Sequence, residues 1–144
     1  MRPMRFSTLI QAEEVLHGIY EAINTGNLAL LDKFVAPGYV EHSEGFQGVE
    51  PFRQQVAAFR AAFPDLRVTI EDVLTDGDRF ASRTTVTGTH TGDLMGMPAT
   101  DKRISVEAVD IGRVHDGQAA ERWGGLNMYA LLTQLGVIPA SQLG

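Results

Sequence analysis

The sequence predicts a single α+β domain over residues 1–144, a cone-shaped α+β barrel in which a curved antiparallel sheet wraps a long helix and encloses an apolar cavity. Apolar residues recur every three or four positions as far as Phe63, which is typical of helices. From Leu66 they alternate with polar residues, which is typical of strands. Asp-Gly pairs at 76–77 and 116–117 predict hairpin turns.

The first helix is predicted from an apolar stripe, and a second, short helix from the residues after it. The stripe consists of Leu9, Ala12, Val15, Leu16, Ile19, Tyr20 and Ile23. The segment Asn-Thr-Gly-Asn at 24–27 ends it, and the short helix carries Leu28, Leu31, Phe34 and Val35 before Pro37 and Gly38. The two helices should form a hairpin.

A short strand from Tyr39 to His42 and a loop over 43–48 precede the clearest helix, from about Gly48 to Phe63. Its apolar residues are Val49, Phe52, Val56, Phe59 and Phe63, spaced 3, 4, 3 and 4 apart. Pro64 ends this helix, because proline disfavours helix in the residue before it. This helix should lie inside the curved sheet.

The second half predicts four strands in a meander. The first begins at Leu66, and the second runs from Phe80 to Thr91. After a loop over 92–100, the third covers Ile104 to Val114 and the fourth covers Ala119 to about Asn127.

The register of the last hairpin decides which side chains reach the cavity. A left-handed bulge at Gly117 sets Arg113 opposite Glu121 and Ile111 opposite Trp123, which matches charge with charge and apolar with aromatic. A plain two-residue turn does not produce these matched pairs. We favour the bulged register, which places Val106, Ala108, Asp110, Gly112, Arg122 and Gly124 on one face, and Glu107, Val109, Ile111, Trp123 and Asn127 on the other.

Composition excludes several classes of partner. The chain has 12 Lys and Arg against 18 Asp and Glu, a net charge of −6, so we expect neither nucleic acid nor a membrane surface to bind it. Cysteine is absent, which fits a reducing compartment, and no signal peptide or transmembrane run is visible. We therefore expect a cytoplasmic protein.

Asp110 and Arg122 are the first catalytic candidates. They are diagonal neighbours in the favoured register, and Gly112 and Gly124 leave room beside them for a ligand. The pair is either a structural ion pair or an acid/base site whose ionisation is set by Arg122 against burial. In the second case we expect Arg122 to lower the pKa of Asp110 and keep it ionised, as a base or charge stabiliser.

His42 and His90 are further catalytic candidates. His90 ends a Thr-rich strand between Gly88 and Gly92, where it can be a general acid or bond to loop backbone. His42 can bond a substrate carbonyl or cap the loop after it. No metal site is predicted, since consecutive residues on a strand point to opposite faces and no two histidines have helical metal-site spacing.

For a flat ligand we select as substrate-binding candidates Phe46, Phe59, Phe63, Met97, Trp123 and Asn127. Phe59 and Phe63 are alternatively core residues, and Met97 either forms a pocket lip or packs against the core. Trp123 stacks on a ligand ring or packs against a neighbouring subunit. The second option fits the apolar outer face with Val109 and Ile111, which predicts a homodimer or homotetramer.

Several stretches, in order and spacing, resemble the SnoaL-like polyketide cyclase family of the nuclear transport factor 2-like superfamily. They are Tyr39 to His42 with Gly48, Phe63-Pro64-Asp65, Gly88 to Gly92, Met95 to Thr100, Arg113 with Asp116-Gly117, and Gln134-Leu135-Gly136. The resemblance covers about Glu13 to Gly136. It implies a deep apolar cavity, no metal or organic cofactor, and closure of a ring in a polycyclic, anthracycline-type polyketide ester by intramolecular aldol condensation.

The resemblance also implies an acid/base aspartate late in the last long strand and an assisting histidine on the neighbouring strand. By position the aspartate falls on Gly124 and the histidine on Asp110, and Asn127 stands where other members have an aspartate. Glycine cannot remove a proton. Three functions therefore stay open: a cyclase that uses Asp110, a ring hydroxylase of the same family, and a non-catalytic binding or dimerisation module.

Overall fold

The computed structural model describes residues 3–139. Its helices are α1 (Pro3–Thr25), α2 (Leu30–Phe34), α3 (Val49–Ala62) and α4 (Met128–Gln134), and its strands are β1 (Val35–Glu41), β2 (Phe46–Gln47), β3 (Arg67–Asp76), β4 (Arg79–Thr89), β5 (Arg103–His115) and β6 (Gln118–Leu126). Residues 1–2 and 140–144 of the predicted domain, and the side chain of Leu9, lie outside the described part. No helix among residues 3–139 has the length and apolar character needed to span a bilayer.

The six strands form one curved sheet in the order β2-β1-β6-β5-β4-β3, which confirms the predicted α+β class. Two details of the prediction are wrong. The β1–β6 pair is parallel, because the chain returns to β1 only after a long connection through α3 and the four strands β2 to β5. The sheet is also open, with β2 and β3 at its edges, so it curves as in a barrel without closing.

The last hairpin adopts the predicted bulged register. Arg113 pairs with Glu121 and Ile111 with Trp123, and the register shifts next to the turn. Both turn residues, Asp116 and Gly117, have positive φ angles of 50° and 75°, as a two-residue turn requires. The bulge was predicted at Gly117, but it lies beyond the turn, between the pairs Val114–Ala119 and Arg113–Glu121. Burial along β5 alternates without exception from Ile104 to Val114, so the strand keeps one face in the core throughout.

Two helices, rather than one, fill the concave face of the sheet. α1 packs against β3, β5 and β6, and α3 packs against β1. One core cluster joins the α1 stripe to Phe52 and Val56 of α3, and a second surrounds Phe63 and Val106 near the far end of the sheet. A cavity remains between these clusters.

The structure contains a fourth helix that the sequence analysis missed. Asn127, predicted to end the last strand, is the N-cap of α4, and its side chain accepts a hydrogen bond from the backbone N–H of Ala130 at 3.0 Å. β1 also begins earlier than predicted, at Val35, which had been placed in the second helix. The second difference falls at an element boundary, where local propensity is least decisive.

We predict that Phe52→Ala lowers the free energy of unfolding by about 3–5 kcal/mol, measured by urea denaturation. Phe52 is buried and meets the edge of the Tyr39 ring at a centroid distance of 5.4 Å, so its loss leaves a cavity in the core. Phe59→Ala should cost less, because Phe59 is only half-buried. Gln54→Ala, at an exposed position of the same helix, is the control, and an equal loss there would contradict the assignment.

Candidate active site

The cavity has a volume of about 460 Å³ and lies between α1, α3 and the concave face of the sheet, a size suited to a small organic ligand. Its walls are largely apolar and include Ile23, Phe52, Val56, Phe59, Leu66, Val68, Val86 and Leu126. Polar and charged lining residues also come from α1, α3, the turn after β1, and β4 to β6; they are Tyr20, Ser43, Glu44, Gln55, Thr84, Asp110 and Arg122. A ligand here would lie against apolar walls and contact a limited set of polar groups.

Arg122 is the centre of this polar group. Its Nε lies 2.6 Å from Oε1 of Glu41, its Nη1 lies 3.0 Å from Oδ1 of Asp110, and its Nη2 lies 3.4 Å from Oε2 of Glu44. The predicted contact between Asp110 and Arg122 is therefore present, but it is one of three. A single guanidinium faces three carboxyl groups, so the group as a whole favours uptake of a proton.

Two tyrosines extend the network from either side. The Tyr39 hydroxyl donates to Oε1 of Glu41 at 2.9 Å, and the Tyr20 hydroxyl donates to Oδ2 of Asp110 at 3.4 Å. Burial, assisted by the charge of Asp110, raises the pKa of Tyr20 to about 12. Tyr20 is consequently a hydrogen-bond donor at neutral pH.

The ionisation of Asp110 differs from the expectation. Burial raises the pKa of Asp110; Arg122 lowers it, but Glu41 raises it again. The expectation of a lowered pKa is wrong because burial outweighs the attraction of Arg122, and the nearby charges of Glu41 and Glu44 act in the same direction as burial. The raised pKa favours the protonated form of Asp110, and that form can donate a proton.

The turn after β1 carries Glu44 to the cavity, and three hydrogen bonds fix it. The backbone N–H of His42 donates to the carbonyl of Arg122 at 2.9 Å, and that of Gly45 donates to the carbonyl of Glu41 at 2.9 Å. The Ser43 hydroxyl accepts from the N–H of Gly124 at 2.8 Å. Gln55 of α3 then donates to Oε1 of Glu44.

His42 and Trp123 do not reach the cavity. They stack on the outer face of the sheet, with ring centroids 4.2 Å apart and an angle of 5° between the planes, and Nε2 of His42 lies 2.8 Å from Glu121. Strand alternation is the reason: Glu41 and Arg122 point inward, so their neighbours point outward. Neither residue is placed to bind a substrate alongside Asp110.

His90 and Phe63 are core residues. His90 is fully buried, its ring lies 5.3 Å from that of Phe63, and its Nδ1 lies 3.2 Å from the N–H of Thr100. Neither residue lines the cavity. The alternatives weighed above, a backbone-bonded histidine and a core phenylalanine, describe their positions.

Of the remaining substrate-binding candidates, only Phe59 lines the cavity. Phe46 packs near the Tyr39 ring, with a centroid distance of 6.3 Å. Met97 exchanges backbone hydrogen bonds with Leu94 and packs on the core, and Asn127 caps α4 as described above. Phe46 and Met97 thus pack against other residues and Asn127 caps a helix, although all three were expected to face a ligand.

Sequence reasoning missed Tyr20, Glu41 and Glu44. Tyr20 belongs to the apolar stripe of α1, where an aromatic residue is ordinarily core. The sequence did contain a signal for Glu41. It lies two residues after Tyr39, so the two side chains point to the same face of the strand, and if Tyr39 is buried then Glu41 points inward as well. Glu44 lies in a turn, and only the folded chain brings it to Arg122.

Gly124 occupies a position that no other residue fits. Its φ is +119°, and a Cβ built there would lie 2.2 Å from the carbonyl oxygen of Val109 and 2.9 Å from Cα of Asp110. Since both neighbours are backbone atoms, they cannot move aside cheaply. The aspartate that the resemblance implies at this position is excluded by the path of this strand.

Comparison with known proteins gives a consistent result. The family model described as SnoaL-like polyketide cyclase matches residues 13–135. The nogalonic acid methyl ester cyclase of Streptomyces nogalater is 31% identical over 121 residues, covering 80% of this chain and 90% of that protein. The aklanonic acid methyl ester cyclase DauD of Streptomyces sp. (strain C5) is 30% identical over 112 residues, covering 73% of this chain and 69% of that protein.

Two solved structures share the fold. TsrD from Streptomyces laurentii has a TM-score of 0.83 and 28% identity, covering 90% of this chain and 97% of that one. AclR from Streptomyces galilaeus, a proposed hydroxylase, has a TM-score of 0.79 and 32% identity, covering 90% of this chain and 83% of that one.

We predict that Gly124→Ala destabilises the protein by about 3 kcal/mol or more, because strain at positive φ and overpacking add. Gly125→Ala is the matched control: its φ is also positive, at +140°, but the nearest atom to its Cβ is Oε2 of Glu44 at 3.6 Å. Thermal and urea unfolding of both variants would measure the difference. Equal losses would show that the backbone at 124 relaxes and that an aspartate could be accommodated there.

Proposed function

Because this chain belongs to the SnoaL-like polyketide cyclase family, we propose that it closes a ring in an aromatic polyketide ester by intramolecular aldol condensation. Asp110 is the proton donor in this proposal, and Arg122 is its charged partner. The carrying observation is the set of buried polar groups around Arg122 on the wall of an otherwise apolar cavity. The two relatives named above are cyclases of methyl esters, and a flat polycyclic ester is the class of ligand proposed here.

The aldol reaction needs a proton donor, and the raised pKa of Asp110 suits this residue to that role. In an aldol ring closure, a carbanion next to one carbonyl attacks a second carbonyl, whose oxygen gains negative charge and then a proton. A neutral Asp110 can donate that proton, and the nearby Arg122 stabilises the charge as it develops. The product is an isomer of the substrate, so the reaction as written consumes no electrons and no second reactant.

The apolar walls supply orientation. Phe59 and the aliphatic residues of the cavity would hold the rings of the substrate flat, with its reacting carbonyls toward Arg122. Holding both reacting carbons at contact distance makes a large contribution to ring closure. Exclusion of water also strengthens every interaction with Asp110 and Arg122.

Ring hydroxylation is the second candidate. It is favoured by Gly124, which leaves the strand without the carboxylate of the cyclases, and by the similarity to AclR, a proposed hydroxylase. Mass spectrometry separates the two: cyclisation leaves the substrate mass unchanged, whereas hydroxylation adds an oxygen atom, labelled when the reaction runs under ¹⁸O₂.

We predict that Asp110→Asn lowers kcat on aklanonic or nogalonic acid methyl ester by about 10²-fold, the size expected for loss of a general acid. His115→Ala, at an exposed position beside the β5–β6 turn, should retain the wild-type rate. Ring closure is followed by chromatography of the product. Full activity in a folded Asp110→Asn variant would contradict the proposed role.

We also propose that the protein forms a homodimer or homotetramer through the outer face of the sheet. Four apolar residues lie in one row across β3 to β6, since Leu74 pairs with Ala81, Ala81 with Ile111, and Ile111 with Trp123. Leu74 is 71% exposed and Ile111 is 48% exposed. Beside the row, Arg113 is paired with Glu121, and Arg79 lies 5.7 Å from the centroid of the Trp123 ring, so a second copy that covers this face leaves Arg113 paired.

We predict that Ile111→Lys shifts the protein to monomer in analytical ultracentrifugation at micromolar concentration, because a lysine in the row would be buried without a partner. Val137→Lys, at an exposed apolar position outside the sheet, should leave the assembly intact. A wild-type protein that sediments as a monomer would refute this assembly.

A further inference from the structure

Ring closure needs a base as well as an acid. The position of β6 at which the resemblance implies an acid/base aspartate is occupied by Gly124. We propose that Glu44 is this base, so that the carboxylate enters the cavity from the turn after β1 instead of from β6. This inference rests on the proposed function, and it assigns a residue that the resemblance does not.

Glu44 is placed for contact with a ligand in the cavity. Its side chain lines the cavity, and Oε2 lies 3.6 Å from the position that a Cβ of Gly125 would occupy. The two consecutive glycines of β6 therefore leave space for a carboxylate that arrives from another part of the chain. A carboxyl group therefore lies next to this part of β6, although positions 124 and 125 carry none.

The Glu44 carboxylate is oriented from two sides. Gln55 donates to Oε1, and Nη2 of Arg122 lies 3.4 Å from Oε2. The turn that carries it is anchored to β6 through Ser43 and Gly124. A base held by a fixed turn and two partners keeps its geometry during reaction.

Asp110 and Glu44 occupy unlike environments on one guanidinium. Asp110 has 3% of its side chain exposed, whereas Glu44 has 36% exposed. Buried Asp110 faces Tyr20 from α1, Glu41 from β1 and Arg122 from β6, and burial raises its pKa. Two carboxyl groups whose environments differ in this way are the usual arrangement of an acid and a base.

The step balances with these two residues. The carboxylate of Glu44 takes a proton from the carbon beside one carbonyl, and the electron pair of that C–H bond forms the new C–C bond. The π electrons of the attacked carbonyl move to its oxygen, which takes the proton of Asp110. Glu44 then releases its proton to solvent, which it reaches, and Asp110 is reprotonated from solvent.

The experiment separates proton removal from ring closure. Wild type, Glu44→Gln, Glu44→Asp and Asp110→Asn are incubated with nogalonic acid methyl ester in D₂O, and exchange of the substrate C–H and ring closure are measured after subtraction of the uncatalysed rate. Glu50→Gln is the matched control, because Glu50 lies on the exposed side of α3 and pairs with Arg53.

Glu44→Gln is expected to lose both exchange and ring closure by about 10²-fold in kcat, with KM little changed. Asp110→Asn should lose ring closure but retain exchange, and Glu44→Asp should recover part of the rate. Exchange and closure at wild-type rates in Glu44→Gln would overturn the assignment while leaving the cyclase function standing. A wild type that closes no ring in this ester or in aklanonic acid methyl ester would overturn the proposed function itself.

Discussion

The site depends on one buried guanidinium that has more acidic partners than it can neutralise. Arg122 contacts Glu41, Asp110 and Glu44, and removing it would leave buried carboxyl groups without a counter-charge, which is strongly destabilising. Burial raises the pKa of Asp110, and Arg122, whose charge is divided among three acids, lowers that pKa only in part. The ion pair that was expected to lower the pKa of Asp110 is present, yet the pKa is raised.

Because side chains alternate along a strand, β1 and β6 contribute residues both to the cavity and to the outer face of the sheet. Along β6, Arg122 faces the cavity while Glu121 and Trp123 face outward, and along β1, Glu41 faces inward while His42 begins the turn outside. The aromatic stack and its paired charges thus lie on the outer face, and Arg122 with its carboxyl partners lies inside. The two groups of side chains do not contact each other, because successive residues of a strand point to opposite faces of the sheet.

The backbone of β6 does not accommodate the aspartate that the resemblance implies at position 124. Gly124 lies against the carbonyl of Val109 at a φ open only to glycine, and its N–H is held by Ser43. A side chain is excluded at that point, and the space beside Gly125 is bordered by Glu44. Position 124 has no room for a side chain, and the carboxyl group nearest to Gly125 comes from the turn after β1. Both features follow from the same local backbone geometry.

The sequence by itself determined the fold class, the strand meander and the bulged register, because periodicity, Asp-Gly turns and cross-strand matching are local properties that the final packing did not override. It also placed Asp110 beside Arg122, since register fixes diagonal neighbours. Only the tertiary structure decided the rest: the parallel return of β1 beside β6, the contribution of Tyr20, Glu41 and Glu44, and the sign of the Asp110 pKa shift. These depend on distances between segments far apart in the chain and on burial from every side, neither of which a local pattern contains.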